Sequence, residues 1–118
     1  MKFVFIFIYF FISQAWAMQF VVRTFEAERL QIVDMEGEIF HDDEVKLKYF
    51  LRNRIKDDLN TVFWIRSSGG FIVTAIKIGD SIAAFESELK KNKASLYTFV
   101  GKDSTCASAC LVIFTSAK

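Results

Sequence analysis

An α/β domain built on a parallel sheet is the fold class this sequence predicts, on three observations. Thr61 to Ile65 reads Thr-Val-Phe-Trp-Ile, an unbroken strand-favouring run that Arg66-Ser67-Ser68-Gly69-Gly70 ends sharply. Such a run suits a strand buried on both faces, as in the interior of a parallel sheet. Long stretches with helical period flank it on both sides. Leu96 to Val100 then supplies another strand, so strands and helices alternate and the connections are crossovers.

Taken in order, Arg29 to Val33 is a short strand candidate through Leu30, Ile32 and Val33. Met35-Glu36-Gly37-Glu38-Ile39 continues it, with a bend or bulge at the glycine. His41, Asp42 and Asp43 form a polar break, and either aspartate is placed to accept free amides at a helix start. From Glu44 to Leu59, Leu47, Leu51, Ile55 and Leu59 recur every fourth residue, while Lys46, Lys48, Arg52, Arg54 and Lys56 solvate the other face. Asp57 and Asp58 oppose the dipole at that helix's end, which predicts fraying after Ile55.

In the second helix Phe71, Ala75, Ile78, Ile82, Phe85 and Leu89 make one stripe, and Lys90, Lys91 and Lys93 suit its negative end. Gly101 to Thr105 is a turn, and Cys106 to Ala117 reads as a third helix or a strand-to-helix passage. Three parallel strands would leave apolar edges. The pattern is therefore that of a chain that oligomerises or of the front part of a larger domain.

The N-terminal segment has a different logic. Met1 and Lys2 precede ten apolar residues, Phe3 to Ile12, and Ala15-Trp16-Ala17 then sets small residues three and one positions before a cut. This is the layout of a secretory signal peptide spanning residues 1–17, leaving 18–118 as the domain. The alternatives are an uncleaved membrane anchor over residues 3–22, bounded by Lys2 and Arg23, and a buried N-terminal element. Cleavage implies a periplasmic or secreted protein, where a disulfide is chemically allowed.

Composition narrows the partners. With 15 Lys and Arg against 14 Asp and Glu, the formal charge is +1 and nucleic acid is not an expected ligand. A chain 53% apolar is not a disordered one. Eight acids between Glu26 and Glu44 face only Arg29. Asp34, Glu36 and Glu38 alternate along one strand face instead of converging on a loop, so a solvated edge or a contact with the basic helix at 46–56 is expected in place of a calcium site. Two cysteines and one distant histidine make no metal centre, and Gly69-Gly70 lacks the rest of a nucleotide-binding loop. No cofactor is expected.

Two turns carry the chemistry. An acyl-transfer site needs a nucleophile, a base, and two donors facing the oxygen that becomes negative. Ser67-Ser68-Gly69-Gly70 joins a strand to a helix whose first amides are unpaired, and its glycines allow close approach of a carbonyl. Cys106-Ala107-Ser108-Ala109-Cys110 surrounds Ser108 with small residues, leaving its hydroxyl open. If a helix starts at Ser108, the Ala109 and Gly70 amides belong to adjacent crossovers, beyond the carboxyl ends of the strands where ligands gather in open sheets. A Gly-Gly turn can equally be mere geometry, and Ser108 can simply cap a helix.

The strand, Arg66-Ser67-Ser68-Gly69-Gly70, the amphipathic helix and Cys106-Ala107-Ser108-Ala109-Cys110 together resemble the Clp-protease/crotonase superfamily. Within it they are similar to the periplasmic Clp-protease-like (serine dehydrogenase proteinase-like) group, whose pattern is Asn-Ser-Pro-Gly-Gly and later Cys-x-Ser-Ala-Cys. Glu36-Gly37-Glu38-Ile39 resembles that group's early Gly-x-Ile segment. The resemblance spans about residues 30–117. It implies a crotonase-like fold of ββα-type repeats with an incomplete C-terminal part, and serine peptidase chemistry on peptide bonds. Ser108 matches the nucleophile, Gly70 and Ala109 match the oxyanion-hole positions, and Gly69 supports the turn. An extended peptide would lie along Gly69, Phe71 and Ile72.

The chain departs from that pattern at Arg66, which stands for Asn, and at Ser68, which stands for Pro. Gly70 and Ser108 are also further apart than in the family. The family's catalytic His and Asp lie after the nucleophile helix, and this sequence has no counterpart to either. His41, the one histidine, precedes both turns and reads as a loop residue; Lys102, the remaining basic candidate, sits in a polar turn. Cys106 and Cys110, four apart, are within bridging distance on a helix, and two readings stand: a disulfide pinning the turn, or two buried thiols. The expected protein is Clp-protease-like and inactive as this chain. The alternative is a non-catalytic peptide-binding or assembly protein that uses the crossover cleft or the sheet edge, including a homo-oligomer.

Overall fold

Burial alternates along the central strands, and that alternation sets which way the sheet faces. In a computed structural model describing residues 17–117, the elements are β1 (Gln19–Phe25), a 3₁₀ turn (Glu26–Glu28), β2 (Leu30–Glu36), α1 (Asp43–Asn53), β3 (Asn60–Arg66), α2 (Ile72–Lys91), β4 (Leu96–Phe99) and α3 (Ala109–Phe114). They make an α/β fold with one four-stranded sheet in the order β1-β2-β3-β4. β2, β3 and β4 run parallel, in register Val33↔Phe63↔Thr98, and β1 is antiparallel to β2.

Gln31, Val33 and Met35 of β2, and Thr61, Phe63 and Ile65 of β3, are buried beneath the helices. Phe63 meets Phe85 of α2 edge-on at 6.5 Å, Phe20 of β1 meets Phe50 of α1 at 5.9 Å, and Thr98 Oγ1 donates to Phe114 O of α3 at 2.8 Å. All three helices therefore cover one face, with α2 between α1 and α3. Gly79 of α2 faces the segment that follows α3, where an added Cβ would lie 3.2 Å from Ser116 Cβ.

Several expectations need correction. β1 was not foreseen, and the sheet has four strands and one antiparallel pair instead of three parallel strands. Gln19 to Val22, which an anchor over residues 3–22 would put in a bilayer, belong to β1, and Met18 is buried in the core; the rest of that expectation, like the signal segment, lies outside the described residues apart from Ala17. No helix among the described residues is long and apolar enough to cross a membrane.

The first helix ends at Asn53, not Leu59. Ile55 and Leu59 are still buried, but from loop positions. Gln31 holds that loop: its Nε2 donates to Lys56 O (2.6 Å) and Thr61 Oγ1 (2.9 Å), and its Oε1 accepts the Lys56 N–H (3.1 Å). These bonds, with two aspartates at the unfavourable dipole end, favour the loop over two further helical turns.

Neither Asp42 nor Asp43 caps α1 through a helix-start amide. Asp43 is buried and turns back, accepting the Phe40 N–H at 2.7 Å and facing Lys46 Nζ at 3.2 Å. Asp34 pairs with Arg23 and Glu36 with Arg66 along the open face of the sheet, while Glu26 reaches Lys56 just past α1.

Candidate functional site

Pairing between the parallel strands continues past their ends as single bridges, and these bridges bring the two turns together. Ile39 N–H donates to Gly69 O (2.8 Å) and Phe71 N–H to Ile39 O (3.0 Å), bridging Ile39 to Gly70. Ser67 N–H donates to Thr105 O (2.8 Å) and Ala107 N–H to Ser67 O (3.1 Å), bridging Ser67 to Cys106. The bonds to Ile39 use Gly69 O and Phe71 N and leave the Gly70 N–H out of that bridge.

Gly70 has no room for a side chain. Its φ is 143°, and an added Cβ would lie 2.2 Å from Ile39 O. Gly69, at φ 111°, faces the other turn: an added Cβ would stand 3.0 Å from Ser108 Cβ and 3.5 Å from the Ala109 nitrogen. Two further bonds lead from Gly69 Cα to the Gly70 nitrogen, which places Ser108 Oγ within about 8 Å of it in any rotamer.

Ser67 is a contributor that sequence reasoning passed over. It is buried, and its Oγ accepts the Gly69 N–H at 3.1 Å, closing a serine turn inside the turn. A Ser two residues before Gly was the available signal.

Ser108 is exposed and has φ 54° and ψ −122°. With the Cys110 N–H donating to Ala107 O at 3.0 Å, Ala107 to Cys110 form a turn of type II′ shape, whose first central position normally holds glycine. The Ser108 side chain makes no capping bond to α3, so the capping alternative does not hold. Ala109 is buried and opens α3. Among the described residues, neither the Gly70 nor the Ala109 amide donates to a protein acceptor. α3 is a six-residue helix, shorter than the passage to Ala117 that the sequence predicts.

A disulfide joins Cys106 and Cys110, with Cα atoms 5.2 Å apart, and closes a ring around Ser108. Of the two readings from the sequence, the structure shows the bridge. Cys110 is buried and Cys106 half-buried.

Phe71 and Ile72, directly after Gly70, are 53% and 51% exposed, and Leu111 of α3 is 52% exposed. The first turn of α2 has no acidic residue, so no side-chain charge offsets its positive dipole end. His41 stacks obliquely on Phe71, ring centroids 6.1 Å apart, and is exposed in its loop. Lys102 is exposed in the turn after β4.

Two clefts have walls that do not include Ser108, Gly70 or Ala109, although Ser67, Ser68 and Thr105 of the two turns line the second. One, of about 890 Å³, runs between the end of α1 and α2 past Arg52, Ile55 and Phe85. The other, of about 610 Å³, lies at the carboxyl ends of β2 and β3, with Glu36, Glu38, Arg66, Ser68 and Asp103 on its walls. The Ser108 turn itself lies open to solvent. Among the described residues no group of three or more His, Cys, Asp or Glu side chains is arranged to hold a metal ion. Compared with known proteins, the chain matches no protein-family model, no curated protein and no solved structure.

Proposed function

We propose that this chain carries the carbonyl-binding part of a Clp-protease-like serine peptidase site in a periplasmic or secreted protein, without the base that peptide turnover requires. Ser108 is the nucleophile, and Gly70 and Ala109 supply the oxyanion donors. An extended peptide runs past Gly69, Phe71 and Ile72, whose exposed apolar surface suits its side chains. The observation that carries this reading is the backbone of Ser108. A non-glycine residue in a glycine conformation persists where the surroundings over-determine it, and such positions cluster at active sites. Here it also presents an uncapped, exposed hydroxyl against a neighbouring glycine turn.

A serine without a base is a weak nucleophile, and a site open to water gives its oxyanion donors less effect. Peptide hydrolysis is therefore not expected from this chain. A fluorophosphonate tests the remaining chemistry because its leaving group needs little assistance. Slow stoichiometric labelling of Ser108, lost in Ser108→Ala, is the expected result. Labelling that persists in Ser108→Ala, or folded protein that never reacts, overturns the reading.

A second reading, assembly through the sheet, is favoured by a separate observation. The sheet face opposite the helices is uncovered among the described residues: Tyr97 is 58% and Phe99 45% exposed there on β4, and Val21 53% on β1 at the other edge. Its two arginine–carboxylate pairs, Arg23–Asp34 and Arg66–Glu36, leave it without net charge. The occupant that fits is a second copy of this chain.

A further inference from the structure

We propose that the Cys106–Cys110 disulfide is a redox latch that sets the conformation of the Ser108 turn. The ring it closes contains Ser108 at its strained position, with Cys106 fixed to the sheet through the Ser67 bridge and Cys110 buried within the first turn of α3. The chain must pass from strand to helix within the three residues Ala107-Ser108-Ala109. Without the bridge, few forces oppose relaxation. Alanine is the strongest helix former and serine an average one, α3 has no side-chain cap, and three backbone bonds hold the turn, from Ala107 N–H to Ser67 O, Cys110 N–H to Ala107 O and Leu111 N–H to Ser108 O. In the open state Ser108 rotates to negative φ, α3 extends toward Cys106, and the Ala109 amide turns into the helix, away from Gly69.

Opening requires a dithiol reductant. Its thiolate attacks the Cys106 sulfur, the more accessible of the two, and forms a mixed disulfide while Cys110 leaves as a thiolate and takes up a proton. The second thiol of the reductant then displaces Cys106, which is protonated in turn. The reductant departs as its cyclic disulfide. Two electrons and two protons are transferred in all, and any cellular dithiol–disulfide couple of suitable potential can run the exchange in either direction. The Ser108 turn is thereby formed under oxidising conditions and lost under reducing ones.

The labelling arm of the test rests on the role assigned to Ser108 above; the structural arm does not. The full chain is compared oxidised, reduced with dithiothreitol and reoxidised, with bond state checked by mass. Amide hydrogen exchange is read at Ala107 and Ala109, and fluorophosphonate labelling at Ser108. Reduction is expected to speed exchange about tenfold at Ala107, which gives up its bond to Ser67 O, equivalent to about 1.4 kcal/mol, to slow it at Ala109, whose amide enters the helix, to slow labelling by a similar factor, and to leave the β2 and β3 amides unchanged. The Cys106→Ser/Cys110→Ala double variant should match the reduced protein whatever the redox state. A local exchange response without labelling in any state supports the latch and overturns the nucleophile. Labelling and exchange both indifferent to reduction, or exchange rising equally throughout β2 and β3, overturns the latch.

Discussion

Ser108 shows how much a single residue's backbone adds to what its name says. The sequence made it a candidate through its small neighbours and its place in Cys-Ala-Ser-Ala-Cys, but φ 54° could not be read from those letters. The bridge between Ser67 and Cys106, the close approach of Gly69 and the disulfide ring all bear on it, and none is a property of the serine itself. Strain of this kind amounts to about 1–3 kcal/mol, and glycine would relieve it while adding freedom to the unfolded chain. Ser108→Gly is accordingly expected to be about 1 kcal/mol more stable than Ser108→Ala by urea denaturation, with neither labelled by a fluorophosphonate. Equal stability, or a less stable glycine variant, would mean that the turn stores no strain. Ser67 marks the reverse limit: its residue type was plain, but its role appears only once Gly69 donates to it.

Elements were legible where local pattern and tertiary environment agree. β3 and α2 follow the unbroken strand run and the apolar stripe because both are central, but β3 is buried on one face only, with Val62 and Trp64 half-buried on the open side where the run predicts burial on both. β1 was not legible, since it is an edge strand whose residues past Val22 are exposed and whose partner lies across a hairpin. α1 was overextended because a four-residue apolar repeat cannot distinguish a helix from a loop that buries Ile55 and Leu59 at nearly the same spacing. Gln31 makes that difference. Gln31→Leu removes its three bonds and leaves the Lys56 amide and carbonyl unpaired, which should lower stability by about 2–3 kcal/mol and speed Lys56 amide exchange. An unchanged midpoint would show that the loop holds itself.

α1 also permits an electrostatic test, since the hydrogen bond from Lys48 holds the Glu44 carboxyl below its ordinary value. A carboxylate with a lowered folded value contributes stability above its unfolded value and loses it as pH falls through the folded one. Lys48→Met should raise the Glu44 titration midpoint seen by NMR, and salt should erase most of the difference because the pair is exposed. On the basic side, Glu26 raises Lys56 through their hydrogen bond. That contribution is present below the ordinary lysine value and is lost as pH rises through the raised one.

At the scale of the whole molecule, the helices cover one side of the sheet and nothing among the described residues covers the other. Register rows on that side read Val21–Asp34–Trp64–Phe99 and Arg23–Ile32–Val62–Tyr97, apolar side chains interleaved with one ion pair. Trp64 and Phe99 meet edge-on at 4.8 Å, so the aromatic surface is pre-formed instead of being gathered on contact. Two such faces related by a two-fold axis would stack as sheets about 10 Å apart, each arginine near the other copy's carboxylate. Salt weakens the ion pairs but not apolar burial. Dimerisation should therefore survive high salt and respond to charge placed on the apolar positions. Sedimentation at micromolar concentration is expected to give a dimer that persists in high salt, and Tyr97→Lys with Phe99→Lys a folded monomer. A wild-type monomer, or a dimer indifferent to both lysines, assigns the face to another occupant and removes the assembly reading, while Ser108 and its disulfide, at the carboxyl ends of the strands, would be unaffected by either result.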